Sequence, residues 1–153
     1  QAIDGARKSI HVEQFVLTER GTIDRLKQAK ARGVDVRVIL HPMKIGDKAI
    51  NEVAASELRS VGIPVRWHRW DPARLDKLHA KVGVFDGEDV IIGSANWSRQ
   101  AFTTNREADV EVLSKEVAAA LEDHFQADWN RSTPVPVYPP EGPHLVGPEK
   151  PPS

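Results

Sequence analysis

Strand-like and helix-like segments alternate through the first half of the chain, and this alternation is the strongest constraint on its fold. Stretches with period-2 apolar alternation give way to amphipathic stretches with helical spacing, which end at Gly33 and Gly62. The predicted order is strand 9–17, helix 22–31, strand 34–40, helix 48–61 and strand 63–67. Strand–helix–strand units with short connections favour parallel pairing. We therefore expect an α/β fold with a mixed, mostly parallel sheet flanked by helices on both faces.

A β-hairpin is predicted in the second half of the chain. Its first strand covers 77–85, its turn is the strong hairpin signal Asp86-Gly87, and Val90-Ile91-Ile92 returns as the second strand. The remaining predicted elements are a short helix over 96–101, a strand over 108–113 and a helix over 115–131 with Ser114 as its N-cap.

Length and composition suit one domain. The chain has 153 residues, of which 40% are hydrophobic, enough for a single core. We predict a domain over 1–131 and a Pro-rich tail or linker over 132–153. Residues 1–6 resemble the end of a helix already under way, so we expect the N-terminus of the domain to be truncated.

Charge and residue usage exclude several classes of protein. The chain has 21 Lys and Arg against 22 Asp and Glu, so it is no general polyanion binder and any basic site must be local. The absence of cysteine excludes disulfides and thiolate metal sites, and the six histidines lack metal-ligand spacing, so we expect no metal site. No apolar run approaches the roughly 20 residues of a membrane-spanning helix, and the compartment stays open.

One local concentration of basic and aromatic residues lies over 66–77. It contains Arg66, Trp67, His68, Arg69, Trp70, Arg74 and Lys77. Such a segment can stack bases or hold phosphates. It can equally be a surface loop whose tryptophans anchor on the core and whose arginines pair with nearby acids, and both interpretations remain open.

Six residues at fixed intervals follow this segment. They form the pattern His79-x-Lys81-x4-Asp86-x6-Gly93-Ser94-x-Asn96. Side chains alternate along a strand, so His79 and Lys81 are predicted to project from one face, a nucleophile or base beside a positive charge. That pairing suits phosphate chemistry. Asp86 opens the turn on the opposite face, so we expect it to be a structural hydrogen-bond acceptor.

The complete pattern resembles the signature of the phospholipase D superfamily. The stretch 33–38, the pair Asn105-x-Glu107 and the closing Asp128-Trp129-Asn130 are also similar to family members, and the resemblance covers about residues 1–131. It implies a phospholipase D-like fold, a catalytic domain and a phosphodiesterase that needs no metal or cofactor.

The resemblance also implies roles for the residues of the pattern. The catalytic set is His79, Lys81, Asp86 and Glu107, with Ser94 and Asn96 binding substrate. A neutral imidazole is nucleophilic near pH 7, so His79 can attack phosphorus directly and form a phosphohistidine. The resemblance assigns Glu107 to the other ring nitrogen of His79, where a carboxylate fixes the tautomer.

Only one copy of the pattern is present. Most family members bring two copies together, so that one histidine attacks while the other protonates the leaving oxygen. The segment His41-x-x-Lys44-x-x-Asp47 has the wrong spacing to be the second copy. We therefore expect a second half-site from a homodimer partner or from a missing second domain; a domain inactive by itself is the third possibility.

Three functions are compatible with the sequence, and the first two differ in the phosphodiester substrate, which is phospholipid or nucleic acid. Residues 78–81 and 93–97 look more like bacterial lipid-processing members such as cardiolipin synthases, which slightly favours phospholipid hydrolysis or phosphatidyl transfer. The single pattern is also similar to small dimeric, metal-independent endonucleases acting on DNA or RNA. An inactive binding or assembly module is the third, and an intact pattern argues against it.

Overall fold

The computed structural model describes residues 1–71 and 77–138. Its helices are α1 (Ala2–Gly5), α2 (Arg20–Ala31), α3 (Glu52–Ser60), α4 (Arg99–Thr103) and α5 (Lys115–Arg131). Its strands are β1 (Ser9–Gln14), β2 (Asp35–Leu40), β3 (Lys44–Ile45), β4 (Lys48–Ala49), β5 (Val65–Trp67), β6 (Lys81–Phe85), β7 (Asp89–Gly93) and β8 (Asp109–Leu113).

Six of these strands form one sheet, in the order β5-β2-β1-β6-β7-β8. The pairs β1–β2 and β2–β5 are parallel, as the two strand–helix–strand units predict. The pairs β1–β6, β6–β7 and β7–β8 are antiparallel. The α/β class and the mixed sheet are therefore confirmed, but the expectation that parallel pairs predominate is wrong. Helices connect only the parallel strands β1, β2 and β5, whereas a tight turn connects β6 to β7 and makes that pair antiparallel.

Helices cover both faces of the sheet, as predicted. Alternate residues of β1 and β2, such as Ile10 and Val38, lie in one fully buried cluster with residues of α2 and α3. On the other face Ile39 packs with Phe125 of α5, and Val84 packs with Ala118 of the same helix. The period-2 pattern of the strands thus produces two cores, one on each side of the sheet.

Asp86 fastens the β6–β7 turn to the start of β1. Asp86 and Gly87 are the central residues of a turn closed by the bond from Glu88 N–H to the Phe85 carbonyl, 3.1 Å, and have φ values of 55° and 69°, as a turn with two left-handed residues requires. The Asp86 carboxylate accepts hydrogen bonds from the backbone N–H groups of Arg7, Lys8 and Ser9, at 2.6–3.1 Å. Its role is the structural one expected from the turn. The catalytic role implied by the resemblance is not supported, because β6 separates Asp86 from Lys81 and His79.

The segment between β2 and α3 differs from the sequence prediction. A short antiparallel hairpin, β3–β4, replaces the expected loop, and it turns at Gly46 with a φ of 57°. The helix therefore begins at Glu52 rather than at residue 48. The apolar residues from position 48 onwards have helical spacing, and the two residues in each strand of the hairpin are too few to show a period of two.

The start of the predicted tail is docked on the domain. Thr133 and Trp67 exchange backbone hydrogen bonds of 2.7 and 2.8 Å, and Arg59 donates to the Pro134 carbonyl at 2.7 Å. Residues 139–153 of the predicted tail lie outside the described residues.

Candidate active site

His79 and Lys81 lie together where β1 ends and β6 begins. Lys81 is the first residue of β6 and pairs with Gln14, whereas His79 precedes the strand. His79 therefore lies outside the strand to which the sequence assigned it: β1 has ended, and only the bond from Phe15 N–H to the Ala80 carbonyl, 3.1 Å, continues the pairing there. A direct contact also links the two residues, because Lys81 Nζ donates to the His79 carbonyl at 2.8 Å.

The Lys81 ammonium is held in a partly desolvated position. The residue is only 7% exposed. Burial lowers the pKa of Lys81, and the negative charge of Glu107 opposes that shift. A charge so placed acts more strongly on a bound anion than one in bulk water.

Ser94 and Glu107 are joined directly. Ser94 Oγ donates to Glu107 Oε2 at 2.5 Å and accepts from the Ala108 N–H at 3.0 Å, while Asn105 Nδ2 donates to Glu107 Oε1 at 3.0 Å. The bonds from Ser94 and Asn105, with the charge of Lys81, lower the pKa of Glu107. The carboxylate is therefore ionised, and its charge acts on Lys81.

The structure does not bring Glu107 to His79 as a hydrogen-bond partner. Across residues 1–71 and 77–138, no protein group is hydrogen-bonded to the His79 ring, which is instead packed against Phe15. Asn96 Oδ1 is buried and has no partner among those residues. The role of Glu107 in orienting the imidazole, and those of Ser94 and Asn96 as substrate donors, remain predictions.

His79 opens onto a cleft of about 860 Å³. Its walls include Arg69, Trp70, Lys77 and Arg131. Each interpretation of the basic, aromatic segment applies to a part of it. Arg69, Trp70 and Lys77 face the cleft, as expected of residues that could contact a ligand. Residues 72–76, with Arg74, lie outside the described residues.

Two residues of that segment, Arg66 and Trp67, are structural. Trp67 is 1% exposed and belongs to the core. Arg66 donates through Nε to Ser132 Oγ at 2.7 Å, and its guanidinium lies over the Trp129 ring at 5.5 Å. These two residues are therefore committed to packing and do not face a ligand.

Glu13 is a cleft residue that the sequence reasoning missed. It lies in β1, lines the cleft and is 8% exposed. Burial raises the pKa of Glu13 to about 7, and the charge of Asp128 on α5 adds to this shift. An acidic residue within an apolar alternation was the available signal, since a strand residue facing a covering helix must be buried.

The described residues contain no group of three or more His, Cys, Asp or Glu side chains placed to hold a metal ion. They also include no helix of the length and apolar character that a membrane crossing requires.

The chain matches a family model described as "Cardiolipin synthase, PLD-like domain" over residues 1–129. It is 29% identical over 134 residues to a cardiolipin synthase of Listeria monocytogenes, and 28% identical over 132 residues to one of Staphylococcus aureus. These alignments cover 85% and 82% of the chain but 27% and 25% of the relatives. The chain thus spans about a quarter of the length of the curated relatives it matches.

Solved structures show the same fold. Nuc from Salmonella typhimurium, described as a phospholipase D family member, superimposes with a TM-score of 0.77 and 30% identity, covering 86% of this chain and 84% of that one. NucT from Helicobacter pylori superimposes with a TM-score of 0.72 at 21% identity, covering 86% and 85%, which supports the fold alone. A family model matches residues 1–129, and Nuc is 30% identical to the chain with 84% of its length covered. The chain therefore belongs to the phospholipase D family.

Proposed function

We propose that this chain is a phosphodiesterase that cleaves a P–O bond through a covalent phosphohistidine on His79. The observation that carries the proposal is the placement of an exposed imidazole beside a desolvated ammonium at the edge of an open cleft. Phosphodiesters are anionic and resist nucleophiles, so a site must neutralise their oxygens and hold the attacking atom in line. Lys81 supplies the charge and His79 supplies the nucleophile.

The reaction has two steps. A nitrogen of His79 attacks phosphorus, the P–O bond to the leaving alcohol breaks, and the leaving oxygen takes a proton from a second histidine. Water or an alcohol then attacks the phosphohistidine, gives its proton to that second histidine and releases His79. Glu107, whose charge acts on Lys81, helps to keep the lysine protonated throughout.

The second histidine comes from outside this copy of the motif. A homodimer that shares one site would supply it, as would a second motif in a longer protein. We take the homodimer as the form to test, because it needs no residue beyond the one complete motif that this chain carries.

Phospholipid is the favoured substrate, through hydrolysis or phosphatidyl transfer. The match to a cardiolipin synthase domain over residues 1–129 supports this choice. The second candidate is an endonuclease, which the cleft itself favours: Arg69, Lys77 and Arg131 can contact phosphates, and Trp70 can stack a base.

Paired substrate assays test the proposal. The purified chain is given a labelled phospholipid with a primary alcohol, and in parallel single- and double-stranded DNA. Formation of the phosphatidyl alcohol identifies lipid chemistry, and strand scission identifies nuclease chemistry. Turnover of neither substrate by the wild-type chain, under conditions where it is folded and associated, contradicts the proposal.

Variants connect the activity to the site. His79→Ala should abolish turnover, since it removes the nucleophile, and Lys81→Ala should reduce it by about 10²- to 10³-fold, because one group stabilising the transition-state charge is lost. His124→Ala, an exposed histidine on α5, is the matched control and should keep wild-type turnover. Undiminished activity in His79→Ala would disprove the mechanism.

A further inference from the structure

Phe15 lies between the two reactive groups of the site. Its ring centroid is 4.9 Å from that of His79, with the planes inclined at 59°. The Nζ of Lys81 lies over the same ring, 5.4 Å from its centroid. One aromatic side chain therefore contacts both the nucleophile and the cation that serve the same phosphate.

The position of Phe15 is fixed from several directions. Its N–H donates to the Ala80 carbonyl at 3.1 Å, and its own carbonyl accepts from Asn51 Nδ2 at 2.8 Å. Asn51 is 1% exposed and also bonds Leu17 N–H and the His41 carbonyl, at 3.0 and 2.9 Å. The buried amide thus ties the end of β1 to the end of β2, with the phenylalanine between them.

A second ring supports Phe15 on another side. The centroid of the buried His41 lies 5.1 Å from that of Phe15, at an inclination of 30°. Close-packed rings on both sides restrict the rotamers that Phe15 can adopt. Phe15 is therefore a rigid surface rather than a mobile cover.

Among the described residues, packing against Phe15 rather than a hydrogen bond limits the orientation of the His79 ring. Across the described ranges no protein group is hydrogen-bonded to that ring, so packing on Phe15 is the contact that limits its orientation. For Lys81, burial disfavours the charged form, and an aromatic face favours it. Phe15 therefore acts on both groups: its packing limits the orientation of the His79 ring, and its aromatic face favours the charged form of Lys81.

We propose that Phe15 is a positioning residue, which sets the imidazole of His79 and the ammonium of Lys81 at the separation needed to engage one phosphate, and that Asn51 holds it there. This inference rests on the proposed role of His79 as nucleophile. Phe15 itself exchanges no proton and forms no bond with substrate.

The test is the kinetics of Phe15→Leu across pH, with the substrate that the wild-type chain turns over. We expect kcat to fall by about ten- to a hundred-fold with little change in KM, because misplacement of a reacting group costs rate rather than binding. The alkaline limb of the pH profile should also move to lower pH, since loss of the aromatic face disfavours protonated Lys81. Phe15→Tyr and Phe15→Trp keep an aromatic face and should retain most of kcat.

Phe85→Leu is the matched control. Phe85 is a buried phenylalanine at the far end of β6, 2% exposed, so the same substitution removes the same atoms from the core. It should lower the unfolding midpoint while leaving kcat and the alkaline limb unchanged. If Phe15→Leu does not fold, Phe15→Met, which keeps most of the volume without the ring, replaces it.

The outcomes separate the two proposals. Wild-type kcat and an unshifted limb in Phe15→Leu or Phe15→Met overturn the positioning role, as does an equal loss of kcat in Phe85→Leu. If His79→Ala remains active, the proposed function itself fails, whatever Phe15 does. An inactive His79→Ala beside a fully active Phe15→Leu refutes the positioning role alone.

Discussion

At the scale of single residues, burial shifts the pKa values of an acid and a base of the site in opposite directions. Glu13 and Lys81 are both more than nine-tenths buried, and burial disfavours the charged form of each. Glu107 is instead held ionised by hydrogen bonds from Ser94 and Asn105. The site therefore combines a desolvated cation, a carboxylate whose charge acts on that cation and, in the wall of the cleft, an acid whose pKa is raised to about 7.

Glu13→Gln should change how stability depends on pH. Burial raises the pKa of Glu13 from 4.5 to about 7, so the unfolded chain releases this proton at lower pH than the folded chain does. The folded state is then penalised increasingly as pH rises through that window, by at most about 3 kcal/mol. Glu13→Gln should therefore exceed the wild type in stability at pH 8, and the advantage should shrink towards pH 4, as measured by urea unfolding.

The control for this measurement is Glu116→Gln on the exposed first turn of α5. Its side chain stays in water, so the substitution should not reproduce the pH-dependent gain. An identical stability difference between Glu13→Gln and wild type at both pH values would show that Glu13 is not a desolvated acid.

Asp86→Ala should destabilise the fold by roughly 1–2 kcal/mol at pH 7, because three backbone N–H groups lose a charged acceptor at a partly exposed position. Burial alone would raise the pKa of Asp86, but the bonds from Lys8, Arg7 and Ser9 lower it overall. The stabilisation is therefore present above the unfolded pKa and lost as pH falls, so the difference from wild type should narrow at pH 3.

Urea midpoints of Asp86→Ala and Glu88→Ala at both pH values check this prediction. Glu88 is an exposed neighbour whose ion pair with Lys115 spans 3.8 Å, and its loss should change stability by less than about 1 kcal/mol. Equal effects of the two substitutions would contradict the structural role of Asp86.

At the scale of elements, β7, which ends just before Ser94, and the chain between Glu107 and β8 approach each other very closely. A Cβ added to Gly93 would lie 2.0 Å from Asp109 Oδ1 and 2.4 Å from the Ala108 carbonyl. This contact brings Ser94 and Glu107 within hydrogen-bond distance. The Gly-Ser pair of the motif is therefore explained by packing between β7 and β8.

Gly93→Ala should accordingly loosen the β7–β8 pair. We expect a loss of roughly 1–3 kcal/mol, because β8 backbone must move to admit the methyl group, and faster amide hydrogen exchange in β8. Gly5→Ala is the control: a Cβ there meets no atom within 4 Å, so stability and exchange should stay close to wild type. Wild-type exchange in β8 of Gly93→Ala would contradict the steric explanation.

Sequence patterns predict those elements whose periods are long enough to read. The crossover helices, the Asp86-Gly87 turn and the Ser114 N-cap, which accepts from Val117 N–H at 3.3 Å, were predictable from local rules. The hairpin β3–β4 was not, because it is too short to show alternation. The position of His79 outside β6 depends on where β1 ends, which is a tertiary fact.

The same distinction applies within the site. The motif predicted His79, Lys81 and Ser94 as neighbours because its spacing is specific, and the family resemblance added Glu107, which the structure joins to Ser94. The motif did not predict Phe15 or Glu13. Phe15 matters because its ring packs against that of His79, and Glu13 matters because it lines the cleft. Chain spacing carries no information about contacts between distant strands.

At the scale of the whole molecule, the proposed mechanism makes the site at His79 half of a reaction centre. In that mechanism His79 is the nucleophile, and a second histidine must supply the leaving-group proton. If that histidine belongs to a second copy, specific activity should fall on dilution as the dimer dissociates. Sedimentation and turnover measured over the same concentration range check this, and a monomer with undiminished specific activity would contradict it.

The proposed mechanism requires phosphorus to become bonded to His79 during turnover. Rapid quenching under alkaline conditions, which preserve phosphohistidine, followed by peptide mass spectrometry, tests it most directly. The account predicts the phosphoryl ester of the substrate on His79 during the first turnover, and no adduct in His79→Ala. Product formation with no adduct at any quench time, or an adduct on a different residue, would contradict it.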